Sequence, residues 1–214
     1  MLRVLRCGGG GLAPVEAGPD WVLPDDVAWI DLTNPERAEE LIAEKALGVL
    51  LPTREEMAEI EVSSRLYQED GASFMTAFVL VGADGDDPAL EPVTFVLARG
   101  RLITIRYVDP RAFVAYAAQA DRDADFCRGG VEAFLGLLDA LIDRVADILE
   151  KTSADVEVIS AEIFRPSHKA PFKPILRRLG RAQSIAAKAR SSLVSLARLL
   201  SFAALSDEIA DSKE

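Results

Sequence analysis

Several residue types are scarce in this 214-residue sequence, and each shortage excludes a class of protein. Two cysteines, Cys7 and Cys127, are too few for a disulfide framework, and we expect both to be reduced and structural. A single histidine, His168, excludes a zinc site built from several histidines. No nucleophile–base set accompanies these residues, so we predict that the chain is not an enzyme.

Long apolar runs are missing as well. The most apolar window, 185–205, is interrupted by Lys188, Arg190 and Arg198, whereas a transmembrane helix needs about 18 or more uninterrupted apolar residues. The N-terminus lacks the apolar core of a signal peptide, because four glycines follow at 8–11. We therefore expect a soluble chain made in a reducing compartment.

Charge is abundant but unevenly distributed. The net charge of −11 makes the chain a poor generic partner for nucleic acid, because the phosphate backbone repels it. Residues 130–164 contain two basic and eight acidic residues, whereas residues 165–201 contain nine basic residues and no acidic residue. An acidic helix followed at once by a basic helix predicts an antiparallel hairpin whose two arms attract each other.

The first 125 residues predict a mixed β-sheet flanked by helices. Strand-like patterns cover residues 1–7, 27–32, 72–81, 92–98 and 102–107. Helices are expected over residues 36–46, 54–60 and 110–120. The first helix is expected to be capped by Thr33 or Asn34 with Pro35 at its first position, and the second to open with a Thr53–Glu56 capping box.

Beyond a linker at 121–130, only helix fits the pattern. Apolar residues recur every three or four positions in an acidic arm, 130–164, through Phe134, Leu138, Leu141, Val145, Ile148, Leu149, Val156, Ile159, Ile163 and Phe164. A basic arm, 172–206, carries the return seam Leu179, Ala182, Ala186, Ala189, Leu193, Leu196 and Leu200. The predicted fold is α+β: an α/β domain at 1–125, then a long antiparallel α-helical hairpin at 130–206.

Two groups of carboxylates are candidate cation sites. Asp139, Asp143, Asp147 and Glu150 share one helical face, which is either solvated or turned toward a cation, and spacing does not separate the two. Asp84, Asp86 and Asp87 lie in a loop between two strands. That loop is either an ordinary polar turn or a weak metal site completed by groups from elsewhere, because hard divalent cations prefer carboxylate oxygens.

The order of the motifs resembles the cytoplasmic part of the CorA family of divalent-cation transporters, which includes ZntB-like members. The segment 29–35 (WIDLTNP) resembles the family's W-I-D-L-x-x-P, and 102–106 (LITIR) its L-I-T-V-R strand. Further matches are 51–57, 64–78, 93–97 and the opening of the acidic helix at 137–143. Residues 51–52 are Leu-Pro where the family has His-Pro, and 65–67 are Arg-Leu-Tyr where it has Arg-Pro-Lys.

The resemblance implies a metal-sensing and regulatory domain of a magnesium, cobalt or zinc transporter. In that family, a stalk helix and two transmembrane helices follow and build a homopentamer, with a regulatory cation such as Mg²⁺ held between carboxylates of neighbouring protomers. By position, Asp84, Asp86 and Asp87 are the candidate metal ligands here, and residues 207–214 begin the stalk or tail. The resemblance places the full-length protein at the inner (plasma) membrane, with this part soluble on the cytoplasmic face.

Two other functions remain open at this point. One is a soluble scaffold or interaction protein that uses the helical hairpin as a binding arm. The other is an acidic hydrolase that uses Asp84 or Asp87 with a metal, although no base or nucleophile accompanies them.

Overall fold

A computed structural model describes residues 1–7, 11–15, 21–85, 87–123, 126–164, 172–206 and 209. The strands are β1 Leu2–Arg6, β2 Leu12–Pro14, β3 Val27–Thr33, β4 Leu66–Glu69, β5 Ala72–Val81, β6 Ala89–Ala98 and β7 Arg101–Arg106. The helices are α1 Arg37–Leu47, α2 Arg54–Met57, α3 Arg111–Arg122, α4 Gly130–Ile163 and α5 Phe172–Ala203. Asp86 and His168, both singled out in the sequence, lie outside the described residues. Within the described ranges, no helix has the length and apolar content needed to cross a bilayer.

The strands form one mixed sheet in the order β2-β1-β3-β7-β6-β5-β4. The β3–β7 pair is parallel, and the other pairs are antiparallel. Arg99 and Gly100 form the two-residue β6–β7 turn, and both have the positive φ that such a turn requires. The predicted α+β fold with a mixed sheet is therefore confirmed, but the short strands β2 and β4 at its two edges were not predicted.

The sheet is buried on both faces. Helices α1 and α2 cover one face, where Ala43, Leu47 and Met57 pack on alternate strand residues. Helices α3, α4 and α5 cover the other face, around an aromatic cluster in which Trp29 and Phe134 are fully buried. Double burial explains why β5 is almost continuously apolar instead of alternating.

The start of α1 differs from the prediction. Its N-cap is Glu36, which forms a capping box with Glu39, so neither Thr33 nor Asn34 caps the helix. Asn34 has a positive φ of 43°, and its N–H donates to the carbonyl of Arg106, which holds it at the end of the sheet. Pro35 therefore precedes the cap. The Thr53–Glu56 capping box of α2 is confirmed, although that helix ends at Met57 and not at residue 60.

A buried ionic network joins the two motifs that carry the family resemblance. Asp31, fully buried on β3, accepts hydrogen bonds from Arg106 Nε and Nη2 on β7, both at 3.0 Å. Thr104 Oγ1 donates to the same carboxylate at 2.8 Å, and Trp29 Nε1 donates to Thr104 at 2.9 Å. Arg3 Nη2 donates from β1 at 2.5 Å. These bonds connect β1, β3 and β7 and thus have a structural role.

The long helices α4 and α5 pack antiparallel, as predicted. Leu141 of α4 shares one core with Leu196 of α5, and nearer the tip Ile148 meets Ile185. The expected charge attraction contributes little. In the described part of the two helices, the ion pair between them is Arg178–Glu162 at 2.9 Å, and both side chains are exposed. Apolar packing therefore joins the two arms.

The buried face differs in detail from the predicted seams. Val156 and Ile163 of α4 are exposed, as are Phe164 directly after α4 and Ala186 of α5, whereas Ser192 is buried. The reason is that α5 packs against β5 as well as α4, and the contacts with both elements determine which of its residues are buried.

Candidate functional site

The β5–β6 loop carries the predicted metal ligands and is tightly folded. Gly82 has a φ of 68°, and a Cβ there would lie 2.5 Å from the carbonyl oxygen of Asp87. The Gly85 N–H donates to the Gly82 carbonyl at 3.0 Å. Only glycine fits at residue 82 without strain, and the turn projects Asp84 from the sheet toward the long helices.

Asp84 is surrounded by positive side chains from two helices. Arg111 Nη1 of α3 lies 2.8 Å from its carboxylate, and Lys151 Nζ of α4 lies 3.7 Å away. Arg144 of α4 also donates a hydrogen bond to it. Partial burial alone would raise the pKa of Asp84, but the Arg144 guanidinium, with Arg111 and Lys151, holds that pKa below its usual value.

A fourth cation binds the backbone of the same loop. Arg181 Nη2 of α5 donates to the carbonyl oxygens of Ala83 at 3.1 Å and Gly85 at 2.6 Å. The loop is thus attached to α3, α4 and α5 at once. The Asp84 side chain itself contacts α3 and α4, whereas α5 contacts the backbone of the loop.

The other predicted ligands are less defined. Asp87 is exposed, and the structure does not describe Asp86. No group of three His, Cys, Asp or Glu side chains capable of holding a metal occurs among the residues that the structure describes. A single carboxylate already bound to three cations is a poor ion site by itself, so a metal at this loop needs ligands from elsewhere. The proposed ligands Asp84, Asp86 and Asp87 stay a prediction.

The second acidic group points outward. Asp139, Asp143, Asp147 and Glu150 are all exposed on α4. Among the described residues, no ion pair joins them to α5, which favours the interpretation as a solvated face.

Sequence reasoning did not identify the cations around Asp84, although a signal exists. Arg144 and Lys151 are the two basic residues of the acidic arm 130–164, and they are seven positions apart. Two helical turns place both on one face, opposite in charge to the rest of the arm. Such an exception in charge marks a face that meets a carboxylate.

Comparison with known proteins identifies the family. The family model described as CorA-like Mg²⁺ transporter protein matches residues 24–214. The magnesium transport protein CorA of Salmonella typhimurium is 31% identical over 178 residues, covering 83% of this chain and 56% of that protein. CorA of Escherichia coli K12 is 29% identical over 177 residues with the same coverage. The chain thus spans a little over half the length of these curated relatives.

Solved structures share the fold. The soluble domain of CorA from Methanocaldococcus jannaschii superposes with a TM-score of 0.71 at 14% identity, covering 94% of this chain and 77% of that one. The complete CorA magnesium transporter from the same organism gives a TM-score of 0.55 at 12% identity, covering 100% and 78%. Together with the match of the family model over residues 24–214, the sequence identity shows that this chain belongs to the CorA-like Mg²⁺ transporter family.

Proposed function

We propose that the chain is the cytoplasmic metal-sensing and regulatory domain of a CorA-type transporter for Mg²⁺ or another divalent cation. Family membership and the shared fold support this proposal. Because the chain spans a little over half of its curated relatives, the membrane pore is assigned to the remaining part of the protein. The full-length protein is then a homopentamer in the inner (plasma) membrane.

The observation that carries the sensing role is the attachment of the Asp84 loop to three helices by positive side chains. Arg111, Arg144 and Lys151 occupy the carboxylate that a divalent cation would use. A cation that binds Asp84 therefore competes with these side chains and loosens their contacts. Binding at the loop is in this way coupled to the position of the hairpin.

The same competition explains why the sensor is weak in one protomer. Three positive side chains around one carboxylate repel an incoming divalent cation, and hard cations with few carboxylate ligands stay largely hydrated. A carboxylate from a neighbouring protomer, together with Asp86 and Asp87, adds the missing negative charge. The cation then offsets repulsion between acidic protomers, and its loss shifts the ring toward a looser state.

A titration tests whether Asp84 is part of a weak cation site. Calorimetry of the 214-residue chain with MgCl₂ is expected to give millimolar affinity, which Asp84→Asn reduces further. Arg144→Gln removes a competing cation and is expected to tighten binding several-fold. Asp139→Asn, on the exposed acidic face, is the matched control and leaves the affinity unchanged.

Two results would contradict the proposed site. One is a Mg²⁺ affinity that neither Asp84→Asn nor Arg144→Gln changes, because the cation would then bind elsewhere in the chain. The other is a micromolar site within this chain, because a complete site would need no neighbouring protomer.

The scaffold hypothesis has one observation in its favour. Leu149, Val156, Leu179 and Ala186 of the two long helices line a shallow apolar groove of about 440 Å³. A further helix fits such a groove, either from the longer protein or from a partner. If a C-terminally extended protein leaves the groove accessible to an apolar dye while this chain binds a separate helical partner, the scaffold function is favoured.

A further inference from the structure

A groove of about 460 Å³ lies between β5 and α5, beside the first residue of β4. Strand β4 pairs with β5 only as far as Met75, so the later part of β5 has no strand on that side. Two hydrogen bonds from this part of β5 join it to the neighbouring elements. Thr76 N–H donates to the Arg65 carbonyl at 2.8 Å, and Phe78 N–H donates to Ser195 Oγ of α5 at 3.0 Å. The volume is within the range of small-molecule pockets, roughly 300–1,000 Å³.

Three arginines line this groove without a carboxylate to balance them. They are Arg65, which precedes β4, and Arg190 and Arg198, which lie two turns apart on α5. No acidic side chain lines the groove, and none of the three arginines forms an ion pair with a residue that the structure describes. In a chain with a net charge of −11, three unpaired guanidinium groups at one place are unexpected.

Arg65 is the informative member because it is buried. It is 8% exposed, and its Nε has no hydrogen-bond partner among the described residues. Its Nη2 donates to the Ile60 carbonyl at 3.2 Å, and its guanidinium lies 5.0 Å from the Phe78 ring centroid. Burial, and then the charge of Arg198, lower the pKa of Arg65. Because no carboxylate lines the groove, the buried guanidinium of Arg65 keeps an uncompensated positive charge beside it.

We infer that the groove binds a small organic phosphate through Arg65, Arg190 and Arg198. A phosphate dianion balances most of the positive charge, and its oxygens accept hydrogen bonds from the exposed guanidinium groups of Arg190 and Arg198, beside the buried charge of Arg65. The hydroxyl of Ser195 accepts from Phe78, which leaves its own proton to donate. This site is separate from the Asp84 loop, and it gives the basic arm a function that charge pairing with α4 does not.

Apolar groups distinguish an organic phosphate from the free ion. Val62, Leu66 and Val194 line the same groove as the arginines. They offer a surface for the carbon-containing part of the ligand, whereas inorganic phosphate uses the arginines alone. An organic monophosphate is therefore expected to bind more tightly than inorganic phosphate.

Calorimetry at low ionic strength and without divalent cations tests the site with AMP, inorganic phosphate and adenosine. We expect AMP to bind the 214-residue protein at least threefold more tightly than inorganic phosphate, and adenosine not to bind. The double change Arg190→Glu with Arg198→Glu is expected to weaken AMP binding at least tenfold. Both residues are exposed, so these variants keep the fold.

The matched control is Lys173→Glu with Arg177→Glu, which makes the same change of charge on exposed positions of α5 outside the groove. It is expected to change AMP affinity less than twofold, since these positions lie about 20 Å or more from Arg190 along α5 and the Coulomb interaction weakens with distance. Equal loss in both double variants overturns the site, because binding then follows net charge. No heat of binding with either phosphate, or equal binding of adenosine, overturns it as well.

Discussion

Asp31 and Asp84 each contact more than one cationic side chain, yet burial makes their energetics different. Asp31 and Arg106 are both almost completely buried, so water cannot solvate either charge if the other is removed. Asp84 and its partners are partly exposed, and solvent screens their attraction. The first group is therefore expected to maintain the fold, whereas the second is able to exchange partners.

Asp31→Asn is expected to destabilise the protein by about 3–5 kcal/mol, because it leaves the Arg106 charge buried without its counter-charge. Urea denaturation followed by circular dichroism measures the change. The matched control is Asp109→Asn, which removes the other carboxylate bound to Arg106, at 2.7 Å. Asp109 is mostly exposed, so its loss is expected to cost less than about 1 kcal/mol. Equal costs for the two variants would show that burial does not determine the energetics of this network.

The stability of the protein at low pH gives a second test of Asp31. Desolvation by burial would raise the pKa of Asp31, but Arg106, Thr104 and Arg3 together lower it. Because the unfolded pKa is about 3.9, the stabilisation from Asp31 is fully present above that pH and is lost as pH falls through the lower folded value. Wild-type stability is therefore expected to fall below about pH 4 with a steeper slope than that of Asp31→Asn. Parallel slopes in denaturant titrations at pH 2–5 would contradict the lowered pKa.

At the scale of elements, helix periodicity identified α4 and α5 but not every buried position. The seam residue Leu141 is buried as predicted, whereas Val156 and Phe164, also assigned to the seam, are exposed. Periodicity predicts which residues share a face, but the partner element determines how far along the helix that face is covered. Beyond Ile148, α4 packs against α5 and the β5–β6 loop instead of the strands, so fewer of its apolar residues are covered.

Leu141→Ala is expected to cost about 2–5 kcal/mol, since it removes buried methyl groups where α4 meets the sheet and α5. Leu135→Ala provides the control on the same helix, because Leu135 is exposed, and its effect is expected to stay within about 0.5 kcal/mol. Denaturant melts of both variants give the comparison. A small cost at Leu141 would mean that the helix does not pack as described.

Two helical glycines give a second test of packing. A Cβ at Gly136 of α4 would lie 2.3 Å from Cε2 of Tyr116, a ring held in the core by Trp29 and Phe126. Gly136→Ala is therefore expected to destabilise the protein by about 1–3 kcal/mol despite better helix propensity. At Gly180 of α5 nothing lies within 4 Å, so Gly180→Ala is expected to raise the melting temperature slightly. If both variants gain stability, α3 and α4 are not in close contact at Tyr116.

For the whole molecule, charge and apolar surface act in opposite directions on assembly. A net charge of −11 disfavours contact between copies, while the apolar groove on the hairpin favours a further helix. Within one chain, α4 and α5 already cover each other over much of their length. Assembly is thus proposed to depend on segments outside this chain and on bridging cations.

The 214-residue chain is expected to be monomeric or weakly associated, and a protein extended by the stalk and membrane helices of the proposed full-length transporter is expected to be a pentamer. Light scattering of both proteins, with MgCl₂ and with a chelator, measures this difference. The stability of the pentamer should increase with Mg²⁺ concentration, because an ion bound between protomers acts by mass action. A stable pentamer of the 214-residue chain alone, or a monomeric extended protein, would contradict the proposed assembly.

The sequence by itself determined the strands of the central sheet, the two long helices and the family, because these depend on local periodicity and on short motifs. It did not determine the edge strands β2 and β4, which are too short to show a pattern and form only because a neighbouring strand offers its edge. Tertiary structure alone decided which charges meet. Arg144 and Lys151 of α4 lie beside Asp84, about sixty residues earlier in the chain, because the β5–β6 loop ends against that helix. Arg65 and Arg198 share a groove for the same reason, since contacts between distant elements bring together side chains that no sequence spacing relates.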